Sequence, residues 1–132
     1  MIRTAEKEDY HAVKAMVRAG EQEGTLVHRT KKEIRRRIKK QRTLVAEVDG
    51  ETVGTISVDV FGREVAEARS LYVAPQHRGN GIATELIEGL LAQPIKILPS
   101  GTIFAITTAP RTFEKSGFTQ TQGKRTILHK NI

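Results

Sequence analysis

Gly79 and Gly81 stand between an apolar, β-branched run and an apolar helical pattern, with Arg78 immediately before them. A helix N-terminus leaves its first N–H groups without intrachain acceptors, and glycines let that backbone close around an anion with no Cβ in the way. A pyrophosphate suits such a place. Arg78 adds a planar donor fork whose charge-assisted bonds to phosphate oxygens are about twice as strong as neutral ones. An ordinary strand-to-helix turn containing glycine has the same local pattern, so the surrounding elements must separate the two readings.

Those elements can be read from periodicity. Residues 2–4 form a short strand, and Glu6, Glu8 and Asp9 follow where acidic side chains oppose the positive end of a helix dipole. Tyr10, Val13, Met16 and Val17 then recur at helical spacing until Gly20 and Gly24 break the pattern, and residues 21–30 read as a lid or substrate wall. In residues 31–42, Ile34 and Ile38 give a helix one apolar edge and leave a basic outer face. From Thr43 the period becomes two: Leu44, Ala46 and Val48 alternate, Asp49-Gly50 supplies a tight turn, and residues 53–60 return as a second strand. A third strand, residues 65–73, runs into Ala74-Pro75, completing a meander. Ile82, Leu86, Ile87, Leu90 and Leu91 mark a helix over residues 81–92, with Pro94 beyond it. Residues 101–107 read as a buried strand, 111–116 as a short helix closed by Gly117, and 126–129 as a last strand.

The composition narrows the function classes. The chain has 132 residues, within the usual ~50–200 of one domain, so residues 1–132 are expected to form a single folding unit. Its apolar runs fall far short of the ~20 residues that cross a bilayer, and Met1, Ile2, Arg3 and Thr4 do not open a signal segment. A soluble cytoplasmic protein, away from membranes, is the expectation. With no cysteine there is no disulfide and no thiolate nucleophile, and His11, His28, His77 and His129 lack metal-ligand spacing, so no metal is expected. The net charge of +7 invites an anionic partner. With no Trp, two Tyr and four Phe there is little material for base stacking, and residues 31–42 read as a solvated helix face rather than a nucleic-acid patch. A basic module that binds nucleic acid or senses a coenzyme without catalysis is the competing class.

Gln76-x-x-Gly79-x-Gly81 resembles the Q/R-x-x-G-x-G/A signature of the GNAT acetyltransferases. Leu71-Tyr72-Val73-Ala74-Pro75 before it and Phe113-Glu114-Lys115-Ser116-Gly117-Phe118 after it resemble the family's flanking motifs, and the order of elements fits along essentially the whole chain. A Rossmann site would instead need G-x-G-x-x-G after a first βα turn and an acidic residue ~20 positions on, which this sequence lacks. The resemblance implies an α/β (α+β) fold: a central mixed, mostly antiparallel twisted sheet flanked by about four helices. It also implies acetyl-CoA as co-substrate, lying where the strand before the loop splays from its neighbour. By position Leu71, Tyr72 and Val73 meet the pantetheine arm. Gln76, Arg78, Gly79, Asn80, Gly81, Ile82, Ala83 and Thr84 surround the pyrophosphate, and Phe113 completes the coenzyme set.

Many family members carry a Tyr as the acid for the departing thiolate where this chain has Phe113. That departure, with Gly24-Thr25-Leu26-Val27-His28-Arg29-Thr30 and Phe104-Ala105-Ile106-Thr107-Thr108-Ala109, is similar to the acetyltransferase domain of N-acetylglutamate synthases. The likeness implies Glu67 as base, Thr107 as acid, and Arg29 as the fork for a substrate carboxylate. The synthase pattern has an Arg and a Ser near the last strand, where this sequence has Gly123, Lys124, Arg125 and Thr126; Lys124 and Arg125 are therefore carried as substrate-binding candidates. Plainer readings stand beside these: Glu67 as a strand carboxylate paired with Arg69, Thr107 as a β-branched strand residue, Arg29 in a surface salt bridge. The amino-acid-kinase domain of many synthases is absent from the sequence, so arginine feedback through it is not expected. The partner expected is a small primary amine such as L-glutamate, with peptide amines and pairing into a homodimer left open.

Overall fold

The computed structural model describes residues 1–92, 101–121 and 127–131. The chain opens with β1 (Ile2–Thr4), a 3-10 turn (Lys7–Asp9), α1 (Tyr10–Gln22) and α2 (Lys31–Lys39). The meander β2 (Thr43–Val48), β3 (Glu51–Phe61) and β4 (Val65–Val73) follows, then a 3-10 turn (Pro75–His77) and α3 (Ile82–Ala92). After the undescribed segment come β5 (Thr102–Ile106), α4 (Pro110–Glu114), β6 (Thr119–Thr121) and β7 (Ile127–Asn131). They build a seven-stranded sheet of order β1-β2-β3-β4-β5-β7-β6, in which only β4 and β5 pair in parallel. This is the mixed, mostly antiparallel sheet that the resemblance implied.

Local chemistry explains the joints. Asp49 and Gly50 both take positive φ, 51° and 78°, the mirror-image turn whose twist matches an antiparallel hairpin. Thr30 caps α2 by accepting from the Glu33 amide at 3.1 Å, while the Glu33 side chain accepts from the Thr30 amide at 3.2 Å. The sheet is buried on both faces. On one, Ile56, Ala66, Ala68, Ile103 and Leu128 of the strands meet Leu86 and Ile87 of α3 and Phe113 of α4; on the other, Tyr10, Val13 and Val17 of α1 and Ile34 and Ile38 of α2 cover Val45. Gly54 lets α3 come down onto β3, because a Cβ there would lie 3.1 Å from Leu86 Cδ1 and 3.2 Å from the Tyr72 carbonyl.

Three sequence expectations need correction. Gly20 does not break α1 but lies within it, where a Cβ would collide with Leu26 at 2.4 Å; the chain turns at Gly24, with φ of 77°. Arg37 leaves the basic outer face of α2 and is buried at 4% exposure. The strand β6 had no counterpart in the periodic reading. The expectations at Pro94 and at Gly123, Lys124, Arg125 and Thr126 fall outside the described residues.

Candidate active site

The site begins with a defect in the sheet. Across β3 and β4, Ser57 faces Arg69 and Thr55 faces Tyr72, so Ser70 and Leu71 share the single opposite residue Ile56. Ser70 takes φ of 56°, a left-handed conformation that costs a non-glycine residue ~1–2 kcal/mol, and this bulge re-aims the rest of β4. Pairing of β4 with β5 ends at Ala68 and Ala105, just before the bulge. Beyond it the two parallel strands part. The Ala74 amide bonds the Val53 carbonyl at 2.8 Å on the β3 side, so strand alternation turns the amides of Leu71 and Val73 toward the opening.

At the far end of that opening, Gly79 and Gly81 hold φ of 82° and 80°, and nothing lies within 4 Å of the Cβ position of either. Glycine is required there by conformation, and the backbone faces open space. The first backbone bond of α3 runs from the Glu85 amide to the Gly81 carbonyl at 3.0 Å, so the amides before Glu85 precede the helix's own hydrogen bonding. Arg78 folds back over the strand. Its Nε donates to the Val73 carbonyl at 2.8 Å, its NH2 donates to Glu23 at 2.9 Å, and its guanidinium lies 5.2 Å from the Tyr72 ring centre.

A cavity of about 650 Å³ joins this loop to a charged end under α1 and α2. There Glu67 and Asp59 sit opposite each other on β4 and β3, and the carboxylates are held by two guanidinium groups. Arg37 makes a bidentate pair with Asp59 at 2.8 and 2.9 Å, and Arg69 bonds Glu67 while its Nε lies 3.2 Å from Asp59 without hydrogen-bond geometry. Two cations thus match two anions; of these, Arg37 and Glu67 are buried and Arg69 and Asp59 are partly exposed. Glu67 is 7% exposed and lines the cavity; its Oε2 makes no hydrogen bond among the described residues.

Arg29 differs from these. Its backbone is pinned, because Arg18 donates to its carbonyl at 2.6 Å, yet among the described residues its guanidinium comes no closer to a carboxylate than 3.9 Å, from Glu33. Burial, with repulsion from Arg69 and Arg37, pushes the Arg29 side chain below its ordinary pKa, so an anion beside it would be favoured. Glu21 anchors the same loop. Burial would raise its carboxyl, but hydrogen bonds from His28 and Arg18 outweigh that and hold it below the ordinary value.

The cavity wall brings together most of the residues singled out from sequence: Arg29, Glu67, Leu71, Tyr72, Val73, Arg78, Gly79, Gly81, Ile82, Ala83, Thr84, Thr107 and Phe113. Gln76 and Asn80 are not in it. Gln76 is exposed in the 3-10 turn, and the Asn80 amide group reaches back to the His77 carbonyl at 3.5 Å. Thr107 lies one residue past β5 rather than in it, and its hydroxyl oxygen accepts from the Ala109 amide at 2.9 Å. That contact leaves its O–H free to donate. Phe113 is 2% exposed, edge-on to Phe118 at 5.2 Å. Glu23, Ser70, Arg37 and Asp59 were missed in the sequence. Arg37 alone carried a signal, three residues from Ile34 on the buried edge of α2.

A family comparison spans the residues that build the parted strands, the glycine turn and the helix start. The family described as "Acetyltransferase (GNAT) domain" matches residues 6–129. The chain belongs to this GNAT family. An uncharacterized N-acetyltransferase of Archaeoglobus fulgidus is 41% identical over 58 residues, covering 39% of this chain and 40% of that protein. N-acetylglutamate synthase from Neisseria gonorrhoeae, solved with coenzyme A and N-acetyl-glutamate, superposes with a TM-score of 0.86 at 22% identity. That comparison covers 99% of this chain and 34% of the synthase. Rv2747 from Mycobacterium tuberculosis, solved with CoA and NLQ, gives a TM-score of 0.81 at 25% identity over 93% of this chain and 74% of its own. This GNAT domain therefore spans well under half the length of the curated relative and of the synthase. Among the described residues no His, Asp and Glu cluster could hold a metal, and no helix is long and apolar enough to cross a membrane.

Proposed function

We propose that the protein transfers the acetyl group of acetyl-CoA directly to the primary amine of a small, carboxylate-bearing acceptor, with L-glutamate the first candidate. One observation carries this reading: a single cavity runs from a helix start flanked by positive-φ glycines, along a strand edge freed by the Ser70 bulge, to Glu67, Thr107 and Arg29. A diphosphate would meet the amides opening α3, and the pantetheine arm would run beside Leu71 and Val73.

The chemistry follows from what meets at the other end. Glu67 takes a proton from the acceptor ammonium, and the freed nitrogen lone pair attacks the thioester carbonyl carbon. The carbonyl becomes an oxyanion beside the outward amides of β4, a stabilisation typically worth ~3–4 kcal/mol per donor. As the carbonyl re-forms and the C–S bond breaks, the nitrogen gives up its second proton to the departing sulfur, so that amide and CoA thiol result, with the Thr107 hydroxyl donating a hydrogen bond to that sulfur as it leaves. Arg29 orients the acceptor by its carboxylate. Lys124 and Arg125 stay candidates for a second carboxylate on the acceptor.

A thiol-release assay with acetyl-CoA across amino acids and short peptides tests the reading. Release that depends on an amine bearing a nearby carboxylate is expected. Release with no dependence on any amine, or none at all, would discard it.

A further inference from the structure

Glu23 ends α1, and its carboxylate reaches 55 residues along the chain to the phosphate loop. Arg78 NH2 donates to both of its oxygens, at 2.9 and 3.1 Å, and the Tyr72 hydroxyl donates to Oε1 at 3.2 Å. The segment that continues from Glu23 walls the acceptor end of the cavity, with Leu26, Val27 and Arg29 on its lining. One carboxylate thus ties the acceptor wall to the arginine nearest the glycine turn.

We propose that Glu23 is a latch on Arg78: it weakens coenzyme binding and releases the acceptor wall when the diphosphate takes Arg78 over. The inference rests on the acetyl-CoA reading above. Glu23 and Arg78 are 34% and 46% exposed, and a pair so exposed adds little to stability. Its larger consequence falls on an anion that shares the arginine. With Glu23 in place, the Arg78 charge is already matched, and a second carboxylate faces the incoming phosphates. The diphosphate must either draw the guanidinium away or bind against that charge.

Arg78 has the means to turn. Its Nε remains on the Val73 carbonyl and its face on the Tyr72 ring, so the NH2 group can change partners while the side chain keeps its anchor. Glu23 then keeps only the Tyr72 hydroxyl. Burial and the Glu23 charge both raise the Tyr72 pKa, so the phenol stays a donor to that carboxylate throughout. Coenzyme occupancy and the freedom of residues 24–29 become linked, and the linkage acts in both directions.

The experiment compares wild type with Glu23→Gln, using CoA in calorimetry, pantetheine as an inhibitor of thiol release, and hydrogen exchange over residues 24–29. The variant should bind CoA about three- to tenfold more tightly, with the inhibition constant of pantetheine, which lacks the diphosphate, unchanged. Exchange at residues 24–29 should quicken on CoA addition in wild type and be fast beforehand in the variant. Unchanged or weaker CoA binding by Glu23→Gln, or an equal shift with pantetheine, would overturn the latch and make Glu23 a plain support for Arg78. If wild type binds no CoA, the acetyl-CoA reading falls and takes the latch with it.

Discussion

The two ends of the cavity are built from different materials. At the proposed phosphate end the groups offered to a ligand are mainly backbone amides, presented by glycines at 79 and 81 and a helix start, with Arg78 beside them. At the proposed acceptor end the cavity is lined by the side chains of Glu67, Arg29 and Thr107, drawn from β4, the loop after α1 and the residue after β5. A site of the first kind depends on backbone geometry more than on side-chain identity, which would suit a coenzyme common to a family. One of the second kind depends on a few side chains brought from distant parts of the chain, so single substitutions there would change which acceptor fits.

Breaking the side-chain end should cost most. Glu67→Gln is expected to lower kcat by ~10²–10⁴-fold, the usual worth of a general base, while CoA affinity measured by calorimetry stays nearly constant. Unchanged turnover would take Glu67 out of the base role and leave the ion pair with Arg69 as its purpose. Arg37→Met probes the support beneath, because Asp59 would be left opposite Glu67 with Arg69 alone. A loss of about 2 kcal/mol in denaturant unfolding is expected, since the half-buried Asp59 loses its two charge-assisted hydrogen bonds but keeps Arg69 nearby. At the backbone end, Gly81→Val must hold a β-branched residue at φ of 80°, and the strain of ~1–2 kcal/mol falls on the loop itself. CoA binding should weaken about thirtyfold with the circular dichroism spectrum retained. The smallest effect is expected for Arg29→Gln, which should raise KM about tenfold for acceptors bearing a carboxylate, with little change for a neutral amine of the same size. Equal effects on both acceptors would place Arg29 in loop structure instead.

The same contrast governs what could be read from sequence. The hairpin at Asp49-Gly50, the alternation of Leu44, Ala46 and Val48, the stripe of α3 and the glycine turn are local signals, each written within a few neighbouring residues. All were legible for that reason. Gly20 misled because glycine is usually a helix breaker, whereas here it makes room for Leu26, six residues on. The bulge at Ser70 had no local cue, since its left-handed conformation is imposed by pairing with β3 and no glycine or asparagine stands there. Arg37 read as one more surface cation in a basic run until Asp59, 22 residues away, gave it a partner. Glu23 was invisible for the same reason: its meaning lies in a contact with Arg78 across the fold. Gln76 and Asn80 show the reverse, residues placed by a motif whose side chains stand outside the cavity wall.

The most direct measurement is hydrogen exchange of the backbone amides of residues 79–84, with and without CoA. If these amides hold the diphosphate, saturating CoA should slow their exchange more than that of any other loop, and pantetheine should leave them unchanged. Exchange at residues 79–84 that is indifferent to CoA, while protection appears elsewhere, would contradict the account.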